Sequence, residues 1–530
     1  MSAKDDRIEQ LEYELARRDA TIVMLKSSID RLNQQIENLT EAIMLMRRER
    51  YAPSSEQTPK SKSKSDGENE QMSIFNEAEV SADARVTEPI KKDKNGLSVR
   101  KDRTSRDLKL KEIDMDEIEY HASEKSLFCK RCGTKLKILG KEVVREELQY
   151  IPAQIKVIRH IRIAYECPKC KHSDRPYILK TKVPQSLMNH SLASASSVAY
   201  VMYQKYVNAV PLYRQEKEWE RMGLALSRAT LANWIIRCSE DYFSPVIEHM
   251  HDELIKRYVI HADETPIQVL KEKDRTPQSK SYMWVYRTGN DGKAPVIIFD
   301  YKPSRSGENA VRYLKDFKGY VQCDGYSGYN KLTDVVRCGC WAHLRRKFVE
   351  AIPNGKATES GDSNAEIGRN YCDKLFNIED GLTGLDPEDR YAKRLELERP
   401  VLDAFWSWLE KVNYLRGSKL SEAVIYAMNQ KPYMEKYLLD GRCSISNNLA
   451  ENAIRPFATG RKNWLFADTP KGADASARVY SIVETAKANG LDVLKYLEEL
   501  LLAMPMWDHT EGYLERMMPW SAYMQDLCKE

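Results

Sequence analysis

Two carboxylates stand where apolar runs end, and a third stands just inside an expected helix. Tyr258-Val-Ile-His-Ala-Asp263-Glu-Thr-Pro266 and Tyr320-Val-Gln-Cys-Asp324-Gly-Tyr-Ser-Gly-Tyr329 each read as a strand delivering an acid, and the second breaks at once into a Gly/Ser/Tyr turn. Glu451, in Ser446-Asn-Asn-Leu-Ala-Glu451-Asn-Ala-Ile-Arg455-Pro, reads as a helical residue behind the caps Ser446 or Asn447. Carboxylates are hard oxygen ligands suited to Mg²⁺ or Mn²⁺. Two such ions, typically ~3.5–4 Å apart, activate an attacking oxygen and stabilise a leaving one in displacement at phosphorus. Convergence of Asp263, Asp324 and Glu451 on two ions would make a DNA-cutting site, with Asp263 bridging and each of the others completing one ion's shell. The chain holds 79 acids, so there are rivals: Glu264, Asp300, Asp316, Asp334 and Glu484. Glu264 follows Asp263 on a strand and must point to the opposite face. Asp300 ends a strand and is the strongest competitor.

The second chemical signal is sulfur. Cys129-Lys-Arg-Cys132 and Cys167-Pro-Lys-Cys170 are two CxxC pairs separated by the 34 residues 133–166. Two such knuckles close a tetrahedral structural Zn²⁺ site with no open position. The insert alternates in strand fashion (Val143, Leu148, Tyr150, Ile155, Val157, Ile158, Ile161, Ile163), as a zinc ribbon requires. His160 and His172 are substitute ligands. Cys323, Cys338 and Cys340 read as isolated buried thiols rather than a second metal site.

The elements that must position these groups follow from periodicity. Strands are expected at 258–269, 282–286 and 294–300, a helix at 309–317 and a fourth strand at 320–323. That order matches the first half of a ribonuclease-H-like α/β fold, in which strands one and four are neighbours and Asp263 can meet Asp324. Upstream, residues 8–46 carry six heptads, with Ile8, Leu15, Ile22, Ile29, Ile36 and Ile43 at a, and Leu11, Arg18, Leu25, Leu32, Leu39 and Met46 at d. That pattern favours a parallel two-stranded coiled coil. Arg47, Arg48 and Arg50 follow it, and read either as a phosphate grip or as cations at a helix's negative end. Residues 210–222, a turn at 223–227 and a helix from Arg228 have the outline of a helix-turn-helix that would turn Arg228, Thr230 and Asn233 to DNA. An ordinary helical hairpin has the same outline. His343 with Arg345, Arg346 and Lys347 is either a phosphate contact or a basic outer helix face. Arg455, Arg461 and Lys462 follow Glu451 closely and are better motivated as DNA contacts.

The expected architecture is a multidomain α/β chain. It comprises a coiled coil (1–50), a polar linker (51–115), a zinc module (116–182), a helical block (183–255), a catalytic domain (256–470) with a helical insertion near 343–440, and C-terminal helices (471–530). At 530 residues the chain is too long for one core. Its net charge of +4 excludes little, so local clusters must carry any argument for nucleic acid. No apolar run spans a bilayer and no secretory segment opens the chain, so it reads as cytoplasmic, with its eleven cysteines as thiols or metal ligands.

Four motifs in order carry a family resemblance: His261-Ala-Asp-Glu-Thr-Pro266, Asp324-Gly-Tyr-Ser-Gly-Tyr329, Cys340-Trp-Ala-His-Leu-Arg-Arg-Lys-Phe348, and Asn447-Asn-Leu-Ala-Glu-Asn-Ala-Ile-Arg-Pro456 with Gly460-Arg-Lys-Asn463. Together they resemble the IS66 family of bacterial transposases over nearly the whole chain. The resemblance implies a DDE triad at Asp263, Asp324 and Glu451 and a helical insertion, which the 126 residues 325–450 have room for. Typical members have Arg where this chain has Asn452, which removes one DNA contact and leaves the metal ligand. Implied too are Mg²⁺ or Mn²⁺ at the triad, Zn²⁺ in the ribbon, terminal inverted repeats and target DNA as partners, a homodimer or larger synapse, small accessory proteins, and a place at the bacterial nucleoid. The expected function is DNA transposition by cleavage and strand transfer. The alternatives are a catalytically inert end-binder or repressor, and a nuclease that does not join.

Overall fold

The computed structural model describes residues 185–352 and 363–529, with short pieces at 155–160, 164–166 and 178–180 and residues 18, 21, 22 and 24–26. The rest of the heptad segment, Arg47, Arg48 and Arg50, the linker and all four paired cysteines lie outside the described residues. Within the heptad segment Arg18, Ile22 and Leu25, all seam positions, are helical and exposed. No helix among the described residues is long and apolar enough to cross a membrane.

Two short strands, β1 (Ala164–Glu166) and β2 (Ile178–Lys180), pair antiparallel, and β1 ends directly before Cys167. Residues 155–160, expected as strand, are irregular, with Val157 and Ile158 exposed.

From residue 185 to the main sheet the chain forms α1 (Ala195–Tyr206), α2 (Leu212–Arg221), α3 (Arg228–Cys238) and α4 (Ser244–Ile255). Ser227 caps α3 by accepting from Thr230 N–H at 3.2 Å. The 3.6-residue period turns Leu231, Trp234, Ile235 and Cys238 of α3 into the core.

The sheet has six strands: β3 (Val259–Val269), β4 (Lys280–Thr288), β5 (Ile297–Lys302), β6 (Tyr320–Gln322), β7 (Val336–Cys338) and β8 (Phe466–Ala467). Its order is β5-β4-β3-β6-β7, with β8 also pairing β3. β3, β4 and β5 are antiparallel neighbours, whereas β6 runs parallel to β3 and β7 parallel to β6. The crossover from β5 to β6 carries α5 (Glu308–Tyr313), shorter than the expected helix. The first and fourth strands of this region are therefore adjacent, as expected.

Between β7 and the helix that bears Glu451 lies an insertion of five helices: α6 (Trp341–Ala351), α7 (Asn364–Gly381), α8 (Pro387–Leu397), α9 (Arg399–Leu409) and α10 (Lys419–Met434). It has its own apolar core around Trp341, Phe348, Phe405 and Trp406. The chain then forms α11 (Asn448–Trp464), α12 (Pro470–Ala488), α13 (Val493–Ala503), α14 (Glu511–Met517) and α15 (Ala522–Cys528). One continuous core joins α1–α4, the sheet and α11–α15.

β5 is an edge strand, and open edges invite pairing with other chains. Helix α12 closes it. Phe299 N–H donates to Ser481 Oγ at 2.8 Å and Ile297 N–H to Thr485 Oγ1 at 3.0 Å, while Thr485 Oγ1 donates back to Ile297 O at 2.8 Å.

Candidate active site on the central strand

Register brings the first two carboxylates together. His261 of β3 stands opposite Gln322 of β6 in the parallel ladder. Asp263 and Asp324 each lie two residues further along, so alternation turns both to the same face. The turn after Asp324 is held from both sides. Arg337, buried on β7, donates from Nη2 to Asp324 O at 2.7 Å and to Gln430 Oε1 of the insertion at 3.0 Å. On the other side Tyr426 of α10 packs so closely that a Cβ at Gly325 would lie 2.6 Å from its ring.

The third carboxylate arrives through Asn447. This residue is the N-cap of α11, yet its side chain makes no capping bond. Its amide instead donates to Ala262 O at 2.9 Å, and its Oδ1 pairs with His261 Nδ1 at 3.2 Å. Both contacts reach β3 immediately beside Asp263, so one buried amide sets the first turn of α11, and Glu451 in it, against the strand.

The electrostatics are those of an acid cluster short of cations. Burial, then the charges of Glu264, Asp324 and Glu451, push the Asp263 carboxyl well above the usual range. Asp263 Oδ1 accepts Glu264 N–H at 2.9 Å, and Asp324 Oδ1 accepts Tyr326 N–H at 2.9 Å. Among the described residues neither acid has an ion-pair partner. Glu451 is met by exposed Arg346, Nη2 to Oε2 at 3.2 Å, and by His343, Nδ1 to Oε1 at 3.4 Å. A half-buried set of hard oxygen donors, two of which lack an ion-pair partner among the described residues, fits divalent hard ions.

The rivals separate cleanly. Glu264 does face away from Asp263, and its carboxylate accepts from Arg305 Nε at 2.8 Å and from Tyr329 OH at 2.6 Å. Asp300 pairs with Trp284, which pairs with Glu264, so it lies on that opposite face two strands from β3. Lys302 neutralises it at 2.7 Å. Asp316 and Asp334 are exposed, and Glu484 pairs with Lys487 at 2.8 Å.

The basic residues fall into three groups. Arg455 and Lys462 are exposed on α11, and Arg461 donates to Thr265 Oγ1 of β3 at 3.3 Å, on the Asp263 face. Arg345 is tied to Asp373 of the insertion at 2.5 Å, while Arg346 and His343 face Glu451. Arg228 and Asn233 are exposed on α3, whereas Thr230 is half-buried against its cap. Sequence reasoning passed over Asn447 as a positioning group, as well as His261 and Arg337. His261 stood two residues before Asp263, hence on its face, and Arg337 was a lone charge in an apolar run, Val335-Val-Arg-Cys338.

Comparison with known proteins identifies the class. The family model described as Transposase IS66 family matches residues 190–475, more than half of the chain and all of the site. Two others flank it: the zinc-finger binding domain of transposase IS66 at 127–171, and the IS66 C-terminal element at 481–520. The chain belongs to the IS66 transposase family. Similar proteins include two from Sinorhizobium fredii. Uncharacterized protein y4qI is 27% identical over 536 residues, covering 96% of this chain and 93% of that protein. Uncharacterized protein y4hP is 28% identical over 411 residues, covering 74% and 73%. Membership of a transposase family makes DNA the partner, and the zinc-finger match makes zinc a structural component of the segment that spans the paired cysteines.

Proposed function

We propose that this transposase cuts DNA at the ends of its element and joins them to target DNA, with Asp263, Asp324 and Glu451 as the DDE triad. The observation that carries the reading is the setting of Asp263: half-buried on the central strand, its carboxyl pushed up by burial and by the charges of three other acids, and without a cation of its own among the described residues. The sheet order, with first and fourth strands adjacent and parallel, supports a ribonuclease-H-like core. Asp263, Asp324 and Glu451 would hold two Mg²⁺ or Mn²⁺ ions. When bound, those ions supply an activated oxygen nucleophile and charge stabilisation at phosphorus.

The chain's own residues do the rest. Asn447 and Arg337 fix the acids relative to one another. Arg461, on the Asp263 face, and exposed Arg455 and Lys462 further along α11 offer cations to the DNA backbone leading to the site. Arg228 and Asn233 on α3 offer a second contact surface. Cys129, Cys132, Cys167 and Cys170 hold structural Zn²⁺, and the heptad segment joins two copies, for which the exposed seam residues Ile22 and Leu25 are the support.

The test incubates full-length protein with Mn²⁺ or Mg²⁺ and duplexes carrying the element's ends. Metal-dependent cuts are expected in wild type. Asp263→Asn should lower the rate about 10³-fold or more, the several kcal/mol that metal stabilisation supplies. End binding in wild type with no cut, even with any accessory proteins added, would favour the inert end-binder. Cuts without joined products would leave a nuclease.

A further inference from the structure

Glu451 faces a second set of donors besides the two aspartates. Cys340 is the N-cap of α6, His343 lies in the first turn of that helix, and Glu451 in the first turn of α11. A sulfur, an imidazole nitrogen and a carboxylate oxygen from these three lie within 4.8 Å of one another. His343 Nδ1 and Glu451 Oε1 are 3.4 Å apart, beyond ordinary hydrogen-bond range, and each is buried with no hydrogen-bond partner. Two ligands at ~2.0–2.1 Å from a tetrahedral ion stand about 3.3–3.4 Å from each other. The 3.4 Å gap between these two atoms matches such an edge.

The surroundings suit a metal as well. Asn447 N–H donates to Cys340 Sγ at 3.2 Å, the kind of outer contact that orients a thiolate ligand. Arg346 occupies only Oε2 of Glu451, leaving Oε1 as a single ligand atom. Sulfur, nitrogen and oxygen together select a borderline-soft ion, because Mg²⁺ does not recruit a thiolate.

We propose that Cys340, His343 and Glu451 bind one Zn²⁺-class ion, with a fourth position open, and that this ion competes for Glu451 with the hard ions of the catalytic site. Binding breaks the Cys340 S–H bond, forms a sulfur–metal bond and releases the proton to solvent. Only the competition rests on the catalytic role proposed for Glu451; the ligand set does not. Zinc would then restrain the transposase without touching the zinc-finger segment.

The experiment compares full-length wild type, Cys340→Ser and His343→Gln after dialysis against buffered Zn²⁺, with bound metal measured by mass spectrometry. The zinc-finger segment contributes equally to all three. Wild type is expected to retain about one more equivalent than either variant, since each variant removes one of three protein ligands. Co²⁺ as a probe should add a thiolate charge-transfer band in wild type that is missing from Cys340→Ser. Near-UV circular dichroism shows which variants keep the native fold, and half-buried His343→Gln decides the matter if Cys340→Ser does not. Equal metal content in wild type and the folded variants overturns the proposal. No DNA enters this measurement. Asp263→Asn should keep the extra ion, so loss of the metal site and failure of the cleavage reading are separate results.

Discussion

Two regions of this molecule bury acids, and they treat them in opposite ways. In the insertion, Glu379 and Glu398 surround Arg394, whose side chain is 1% exposed. Its guanidinium donates to Glu379 Oε1 at 2.5 Å and Oε2 at 2.9 Å, and its other N–H groups go to Tyr437 O, Asp440 O and Cys443 O at 2.9–3.2 Å. Every donor of the fork is used. Tyr437 OH donates to Glu398 Oε2 at 2.5 Å. Burial, then the adjacent Glu379, push the Glu398 carboxyl up to about 8, so near neutral pH it favours its protonated form. At the sheet, by contrast, Asp263 on β3 and Asp324 just past β6 receive one backbone N–H each, and the arginine at Glu451 sits at the surface, 45% exposed. The insertion answers its buried charge with a cation and a proton of its own. The strand leaves its charge open to a cation from outside. Buried acid alone is therefore no mark of function; buried acid without an internal counter-charge is.

The contrast can be broken at its strongest point. Arg394→Met should leave Glu379 charged and unpaired and three carbonyls without donors, costing about 3–5 kcal/mol of stability in urea unfolding. A loss below about 1 kcal/mol would mean that the insertion's acids are no better compensated than those of the strand.

Protonation sharpens it further. Glu398 keeps its proton in the fold up to about 8 but loses it near 4.5 when unfolded, so the folded state binds more protons in between. Stability from this group is full below about 4.5, falls as pH rises and levels off above about 8. Glu398→Gln cannot titrate and should flatten that slope in melting curves taken across the window. An unchanged slope would remove the Glu398 proton from the account.

The smallest effect is expected at the surface. Arg346→Met removes an exposed partner of Glu451, and stability should change by less than about 1 kcal/mol. A loss as large as that of Arg394→Met would show Glu451 to be a structural acid, held like Glu379.

Much of the site was readable in advance because its parts are local. An apolar strand ending in an acid, then a Gly/Ser/Tyr turn, is a pattern of neighbours, and it marked Asp324; the apolar run Tyr258-Val-Ile-His-Ala marked Asp263, although its strand continues to Val269. Glu264 could be set aside by period-2 alternation alone. Asn447 could not be read the same way. Sequence offered it as a helix cap, yet its side chain bonds to His261 and Ala262, 186 and 185 residues away. Cys340 likewise looked like an isolated thiol, and only folding of the insertion sets it beside Glu451. Asp300 was the strongest competitor until strand pairing put it on the far face.

By itself, then, the sequence determined the first four strands of the main sheet in outline, the face that Asp263 and Glu264 each take and the paired cysteines, since these depend on backbone periodicity and short spacings. The tertiary structure decided which acids meet and which go uncompensated. Charge compensation is a sum over neighbours in space, and here the deciding neighbours, Asn447 at His261 and Arg346 at Glu451, are 186 and 105 residues apart along the chain.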